Sequence, residues 1–157
     1  MNRYLPIYLD DHRAIDEGLV RTAQRVAKSN AATPWADELR SLSEAVSADA
    51  AQLDAIREAA GIDGGTLKQL AARAGERLGR FKLNGHILTY SPLSRVLETE
   101  GLMAALELKR ARWQTLATLS SDHSEWGAFD FAELERRAAE QIEQLWPIHA
   151  WAVAQLD

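Results

Sequence analysis

The 157-residue chain carries 18 Lys and Arg residues against 23 Asp and Glu residues, and its formal net charge of −5 argues against a general nucleic-acid-binding protein, which usually has a basic excess. It contains no cysteine, which excludes disulfides, thiolate catalysis and zinc sites built from cysteine. Its 46% hydrophobic and 26% charged residues are typical of a soluble globular protein, and its length predicts a single domain over residues 1–157.

Two helices are predicted in the first part of the chain. Residues 6–29 have apolar side chains three and four apart, the spacing of one helical face, and His12 lies among them. A second helix is predicted over residues 34–60, because a Thr-Pro pair at its start suits an N-cap and a first helical position. Its apolar stripe contains Asp49. Each helix therefore carries a polar side chain where its pattern favours an apolar one.

A shorter helix is predicted in the connection that follows, at about residues 67–81. Basic side chains outnumber acidic ones in this connection, whereas the rest of the chain is acidic. Two interpretations stay open, a site for an anion or a basic face that is solvated or docked on the acidic bundle. The residues that would contact an anion are Arg73, Arg77, Arg80 and Lys82.

Two further helices are predicted after the connection. A Ser-Pro pair opens a helix over residues 92–119, in which Glu100 and Glu107 fall two helical turns apart on the same side as several apolar residues. The last helix is predicted over residues 131–156, follows an acidic capping residue and carries His149 on its apolar stripe. Polar groups thus lie on the predicted apolar faces of all four long helices.

These elements predict an all-α fold of four long antiparallel helices, with one shorter helix in the connection between the second and the third. The short turn between the first two helices places His12 near Asp49, and the turn between the last two places Glu100 beside His149. Whether the two pairs meet depends on the direction of the third helix. If it runs parallel to the first helix, the four residues share one layer. If it runs parallel to the second, Glu107 joins His12 and Asp49 instead.

Three segments of the chain carry a resemblance to known proteins: YLDDHRA, RFKLNGHILTYSPLSRVLETEGL and ELKRARW. Through them the whole chain resembles an uncharacterised family of small bacterial all-helical proteins. Paired helices joined by a long crossover, with inward carboxylates and histidines, are also the organisation of the ferritin-like superfamily. The resemblance implies a ferritin-like bundle and no particular activity. Because the chain lacks the Glu-x-x-His motif of di-iron members, we do not expect a dinuclear iron site.

The interior polar groups lead to the first functional hypothesis. A buried carboxylate must be paired, bound to a metal or protonated, because an unpaired buried charge is strongly unfavourable. This hypothesis describes a small cytoplasmic protein whose internal cluster binds a small ligand or a single divalent metal such as iron, manganese or zinc. The metal ligands would be His12, Asp49, Glu100, Glu107 and His149.

The alternative is a non-enzymatic structural or protein-interaction module, such as a helical homodimer, whose buried polar groups only pair with each other. Arg21, Arg80 and Arg110 are candidate partners for the glutamates. No serine lies in a nucleophile motif, so a hydrolase is not supported, and other enzymatic activity is left open. The chain has no apolar run of signal-peptide or membrane-span length, which predicts a cytoplasmic protein without membrane contact.

Overall fold

The computed structural model describes residues 3–62 and 90–156, and its helices confirm the all-α prediction. No β-strand occurs in either of these two ranges. None of the helices described there is long and apolar enough to cross a membrane. The shorter helix predicted at residues 67–81 lies outside the described residues, and so do the residues of the anion hypothesis, Arg73, Arg77, Arg80 and Lys82.

Four α-helices form the described part of the chain. Two short 3-10 helices, Ser120–Asp122 and Ser124–Trp126, connect the last two of them. The third helix begins and ends where the sequence predicts, whereas the second begins two residues late and the fourth ends three residues early. The α-helices are α1 (Tyr4–Ser29), α2 (Ala36–Ala59), α3 (Pro92–Leu119) and α4 (Phe131–Val153).

Local hydrogen bonds explain where the helices begin. At the start of α3, the Ser91 hydroxyl accepts a hydrogen bond from the backbone N–H of Ser94 at 3.2 Å, and the Ser94 hydroxyl accepts one in return from Ser91. Asp130 caps α4 by accepting from the backbone N–H three residues later at 2.9 Å. The start of α2 is delayed because the Thr33 hydroxyl donates to the Asn30 carbonyl at 2.8 Å. Thr33 therefore belongs to the turn and does not cap α2.

Contacts between helices fix the direction of α3. Near the end of α1, the Asn30 side chain accepts a hydrogen bond at 3.0 Å from Arg95, which lies near the start of α3. Earlier in α1, Asp16 accepts one at 2.8 Å from Arg112, which lies near the end of α3. These two contacts make α1 and α3 antiparallel. Since α1 and α2 pack as neighbours across a short turn, α3 runs parallel to α2, the second arrangement that the sequence left open.

The buried core consists of two apolar clusters along the bundle axis with polar side chains between them. The first cluster includes Leu9, Leu53, Trp113 and Ala138, one from each helix. The second includes Leu19, Val46, Leu106 and Leu145, again one from each helix. In all four helices, buried polar residues occupy the positions between these clusters. We refer to the following set as the polar layer: His12, Asp16, Asp49, Lys109, Arg112 and Gln141.

Candidate functional site: the buried polar layer

Asp49 is the centre of one half of the polar layer. Its Oδ2 atom accepts hydrogen bonds from the Lys109 amine at 2.7 Å and from the Gln141 amide at 2.9 Å. Lys109 also donates to the Gln141 carbonyl oxygen at 2.5 Å, which closes a three-membered network. Arg137 Nη2 lies 2.5 Å from Asp49 Oδ1, in an ion pair that is not aligned as a hydrogen bond. Burial lowers the pKa of the Lys109 amine, although Asp49 acts to raise it.

The second half of the polar layer is an ion pair between α1 and α3. Arg112 donates from Nη1 to Asp16 Oδ2 at 2.8 Å, and its guanidinium lies 4.0 Å from the centre of the Trp113 ring. Burial raises the pKa of the Asp16 carboxyl, although Arg112 acts to lower it. Arg112 Nε and Nη2 and Asp16 Oδ1 are buried without a hydrogen-bond partner. The pair therefore depends on a single charged hydrogen bond.

His12 is close to this pair, but unlike Asp16 and Arg112 it is uncharged at pH 7. Burial lowers its pKa from 6.5 to about 4, and the neighbouring Arg112 acts in the same direction. The imidazole is therefore neutral at pH 7, and it packs against the Tyr8 ring with the ring centres 4.5 Å apart. The predicted pairing of His12 with Asp49 is wrong, because Asp49 bonds to Lys109 and Gln141 and the Nδ1 atom of His12 has no partner.

Glu100 and His149 do pair, as the turn between the last two helices predicts. His149 Nε2 and Glu100 Oε1 are 3.3 Å apart. The pair is nevertheless on the surface, since the Glu100 side chain is 52% exposed. Glu107 is also exposed, and it forms a salt bridge with Arg110 at 3.3 Å, one of the partners proposed from the sequence. The expectation that these two glutamates lie on a buried face is therefore wrong.

The sequence of α3 explains why Glu100 and Glu107 face away from the core. Small and apolar side chains occur on two sides of this helix, and the side that includes Glu100 and Glu107 carries mainly small residues such as Ala104. The opposite side carries Leu102, Leu106, Trp113 and Leu116, which are fully or almost fully buried. These large side chains remove more apolar area from water than alanines do, so they determine which side of α3 faces the core. This rotation also brings Lys109 and Arg112 inside.

The structure does not bring the five predicted metal ligands together. His12 and Asp49 both belong to the polar layer, but His12 Nδ1 forms no hydrogen bond to Asp49. Glu100, Glu107 and His149 lie outside the layer. Across residues 3–62 and 90–156, no three His, Asp or Glu side chains are grouped so that they could hold a metal ion. The carboxylates inside the bundle face ammonium, amide and guanidinium groups instead.

The sequence prediction did not include three side chains that pair with the buried carboxylates. Lys109, Arg112 and Gln141 all follow the three-and-four spacing of the large apolar residues in their helices. That spacing is the signal that could have identified them. No protein family, curated protein or solved structure matched this chain. The functional interpretation therefore rests on the contacts within the bundle.

Proposed function

We propose that this protein is a non-enzymatic structural or protein-interaction module in which the polar layer determines how four helices pair. One observation carries the proposal: each buried carboxylate of the polar layer has a cation from α3 as its partner, Lys109 for Asp49 and Arg112 for Asp16. These ion pairs neutralise the two carboxylates, so neither of them requires a metal. The ferritin-like organisation of the bundle, with two helix pairs and a long connection, and the cytoplasmic location are parts of this proposal.

The polar layer suits a role in specifying helix register. Buried ion pairs lose much of their Coulomb energy to desolvation, but they strongly disfavour arrangements in which one partner is left buried and unpaired. A shift of α3 by one turn, about 5.4 Å, would move Lys109 and Arg112 into the apolar clusters. It would also separate Asp16 from Arg112 and Asp49 from Lys109. The layer therefore favours one arrangement of α3 against the other helices.

An exposed apolar surface supports an interaction role. Leu93, Trp146, Val153 and Leu156 are each between 41% and 54% exposed. Trp146 and Val153 lie about one turn on either side of His149. The contact of His149 with Glu100 lies where α3 packs against α4. The Trp146 ring stands edge-on to the His149 ring, with 5.9 Å between the ring centres. A large aromatic side chain of this kind is a common anchor at helical interfaces, and we assign this surface to a homodimer contact.

Light scattering coupled to size-exclusion chromatography tests the interaction role. We expect the wild-type chain to elute with the mass of a dimer and Trp146→Glu to elute as a monomer. Ala132→Glu is the matched control, because it adds the same charge at an exposed position near the other end of α4. A wild-type protein that is monomeric at every concentration tested would contradict the homodimer.

Metal loading tests whether the polar groups bind a metal. A metal site remains a prediction from the sequence, with the ligands His12, Asp49, Glu100, Glu107 and His149. Tag-free protein would be purified without chelator, loaded separately with iron, manganese and zinc, and examined by elemental mass spectrometry. We expect background metal in every case. Stoichiometric metal that disappears in a Glu100→Gln, His149→Ala double variant would refute the proposal that these polar groups only pair with side chains of the protein, and it would support a metal site.

A further inference from the structure

The network of Lys109, Gln141 and Asp49 contains the groups needed for a covalent bond between α3 and α4. Lys109 supplies an amine, Gln141 a primary amide and Asp49 a carboxylate in contact with both. We propose that Lys109 and Gln141 react to form an intramolecular isopeptide bond, with Asp49 carrying the proton between them. This inference goes beyond the proposed function and starts from the same contact between Lys109 and Asp49. Once the bond forms, Lys109 is uncharged and Arg137 remains the cation at Asp49.

The distances place the amine close to the carbon that it would attack. Lys109 Nζ is 2.5 Å from Gln141 Oε1. The amide carbon is one C=O bond, about 1.23 Å, from that oxygen, so Nζ lies no more than about 3.7 Å from the carbon. This limit is close to the separation of about 3–3.5 Å at which bound groups react with high effective molarity. Lys109 and Gln141 are also buried, which removes water as a competing nucleophile.

Asp49 is positioned to act as general base and then as general acid. The same oxygen atom, Oδ2, is 2.7 Å from Lys109 Nζ and 2.9 Å from Gln141 Nε2. One carboxylate oxygen therefore contacts both the nucleophile and the leaving group. A positioned carboxylate of this kind can take a proton from the amine and deliver it to the departing nitrogen.

The groups around the network include one more cation than carboxylates, and the reaction requires that one of these cations release a proton. Lys109, Arg112 and Arg137 bring three positive charges to the two carboxylates of Asp16 and Asp49. The guanidinium groups stay protonated, so the Lys109 amine is the group that can release the excess charge. Burial lowers the pKa of Lys109 and thereby supports this release, although Asp49 and Asp16 act to raise that pKa. After the reaction two guanidinium groups face two carboxylates.

The reaction balances without an oxidant, a reductant or a cofactor. The Lys109 ammonium gives a proton to Asp49, and the freed lone pair of Nζ attacks the amide carbon of Gln141. Asp49 then delivers its proton to Nε2 and takes a second proton from Nζ. The bond between the carbon and Nε2 breaks, ammonia leaves and takes up the remaining proton as ammonium, and Asp49 returns to its carboxylate form. The product is an amide bond between the two side chains.

Mass spectrometry of the intact, purified full-length chain tests this proposal. We expect the folded protein to be lighter than its sequence by one ammonia molecule. Tryptic digestion should release a branched peptide that joins residues 96–110 to residues 138–157, identified by fragmentation. Fragmentation is required because the Asn84-Gly85 sequence can also lose ammonia, through a succinimide at that position.

Variants separate the reacting groups from their surroundings. Lys109→Met and Gln141→Leu should each have the mass of their sequence, whereas Gln144→Leu should keep the loss of ammonia because Gln144 bonds to a backbone carbonyl at the surface. Asp49→Asn retains the amine and the amide, and it should remain unlinked. An Asp49→Asn chain that links as completely as the wild type would overturn the role of Asp49.

The wild-type result alone decides whether the bond exists, even if a variant fails to fold. Folded wild-type protein that keeps the full mass after long incubation, and that yields separate peptides containing Lys109 and Gln141, would overturn the isopeptide proposal. That outcome would leave the proposed function intact, because the same network would then be held by hydrogen bonds alone.

Discussion

Replacing Arg112 by methionine removes one partner of a buried ion pair while preserving most of the side-chain volume. Arg112 is fully buried, and Asp16 would be left 97% buried without its cation, since its exposed fraction is 3%. Loss of a charged hydrogen bond accounts for about 1.5–3 kcal/mol. The full penalty for leaving a buried charge unpaired, which includes this hydrogen bond, is about 3–5 kcal/mol. We therefore expect Arg112→Met to lower the free energy of unfolding by about 3–5 kcal/mol.

The companion variant distinguishes pairing from simple loss of packing. Arg112→Met combined with Asp16→Leu replaces both charges by apolar groups, and such replacements are often neutral or stabilising. We expect the double variant to regain most of the stability that the single variant loses. The assay is urea unfolding followed by circular dichroism, analysed by linear extrapolation. Arg136→Met, at an exposed arginine of α4, is the control and should leave the unfolding midpoint unchanged. Equal destabilisation by the single and double variants would refute the assignment of Asp16 and Arg112 as a pair.

Three further predictions concern His12, Trp126 and Glu107. Because the pKa of His12 falls from 6.5 to about 4 on folding, the unfolded chain binds the proton more readily, so stability should decrease as the pH falls from about 6.5 to about 4. After allowance for solvent screening this loss is about 2 kcal/mol, and pH-dependent urea unfolding should show that His12→Gln lacks it. Trp126→Phe removes the indole hydrogen bond to the Ile56 carbonyl at 3.1 Å and should lower the free energy of unfolding by about 1 kcal/mol; an unchanged value would mean that this bond contributes nothing. Glu107→Leu should change stability by less than about 0.5 kcal/mol in the same assay, since this glutamate is at the surface, and a large change would contradict its placement.

Much of the helical framework could be predicted from the sequence because it depends on local signals. Ser91 and Pro92 provide a capping residue and a proline suited to the first turn, and α3 begins where they predict. The glycine at position 61 has a φ of 65°, which few other residues adopt, and α2 ends two residues before it. The apolar stripe of α1 likewise identified its buried face, including Leu9, His12 and Leu19.

The candidate site was harder to predict because it depends on contacts between helices. Periodicity in α3 allowed two inward faces, and the choice between them required the packing of Trp113 and Leu106 against the other helices. The contact between Lys109 and Asp49 could not be inferred from local patterns either, because the two residues are 60 positions apart. Lysine and arginine are seldom buried unless they are paired, so their burial could not be inferred before the partners were known. The direction of α3 could not be predicted from local signals either, because it follows from the contact of Asn30 with Arg95.

The central claim is that the buried carboxylates of the polar layer are neutralised by cations of the chain itself. A crystal structure of the protein grown with excess zinc or manganese tests this claim most directly. We predict Arg112 bonded to Asp16 and Lys109 held against Asp49, with no metal in the polar layer. A metal ion bound to Asp16 or Asp49, with Lys109 or Arg112 turned away, would contradict the account.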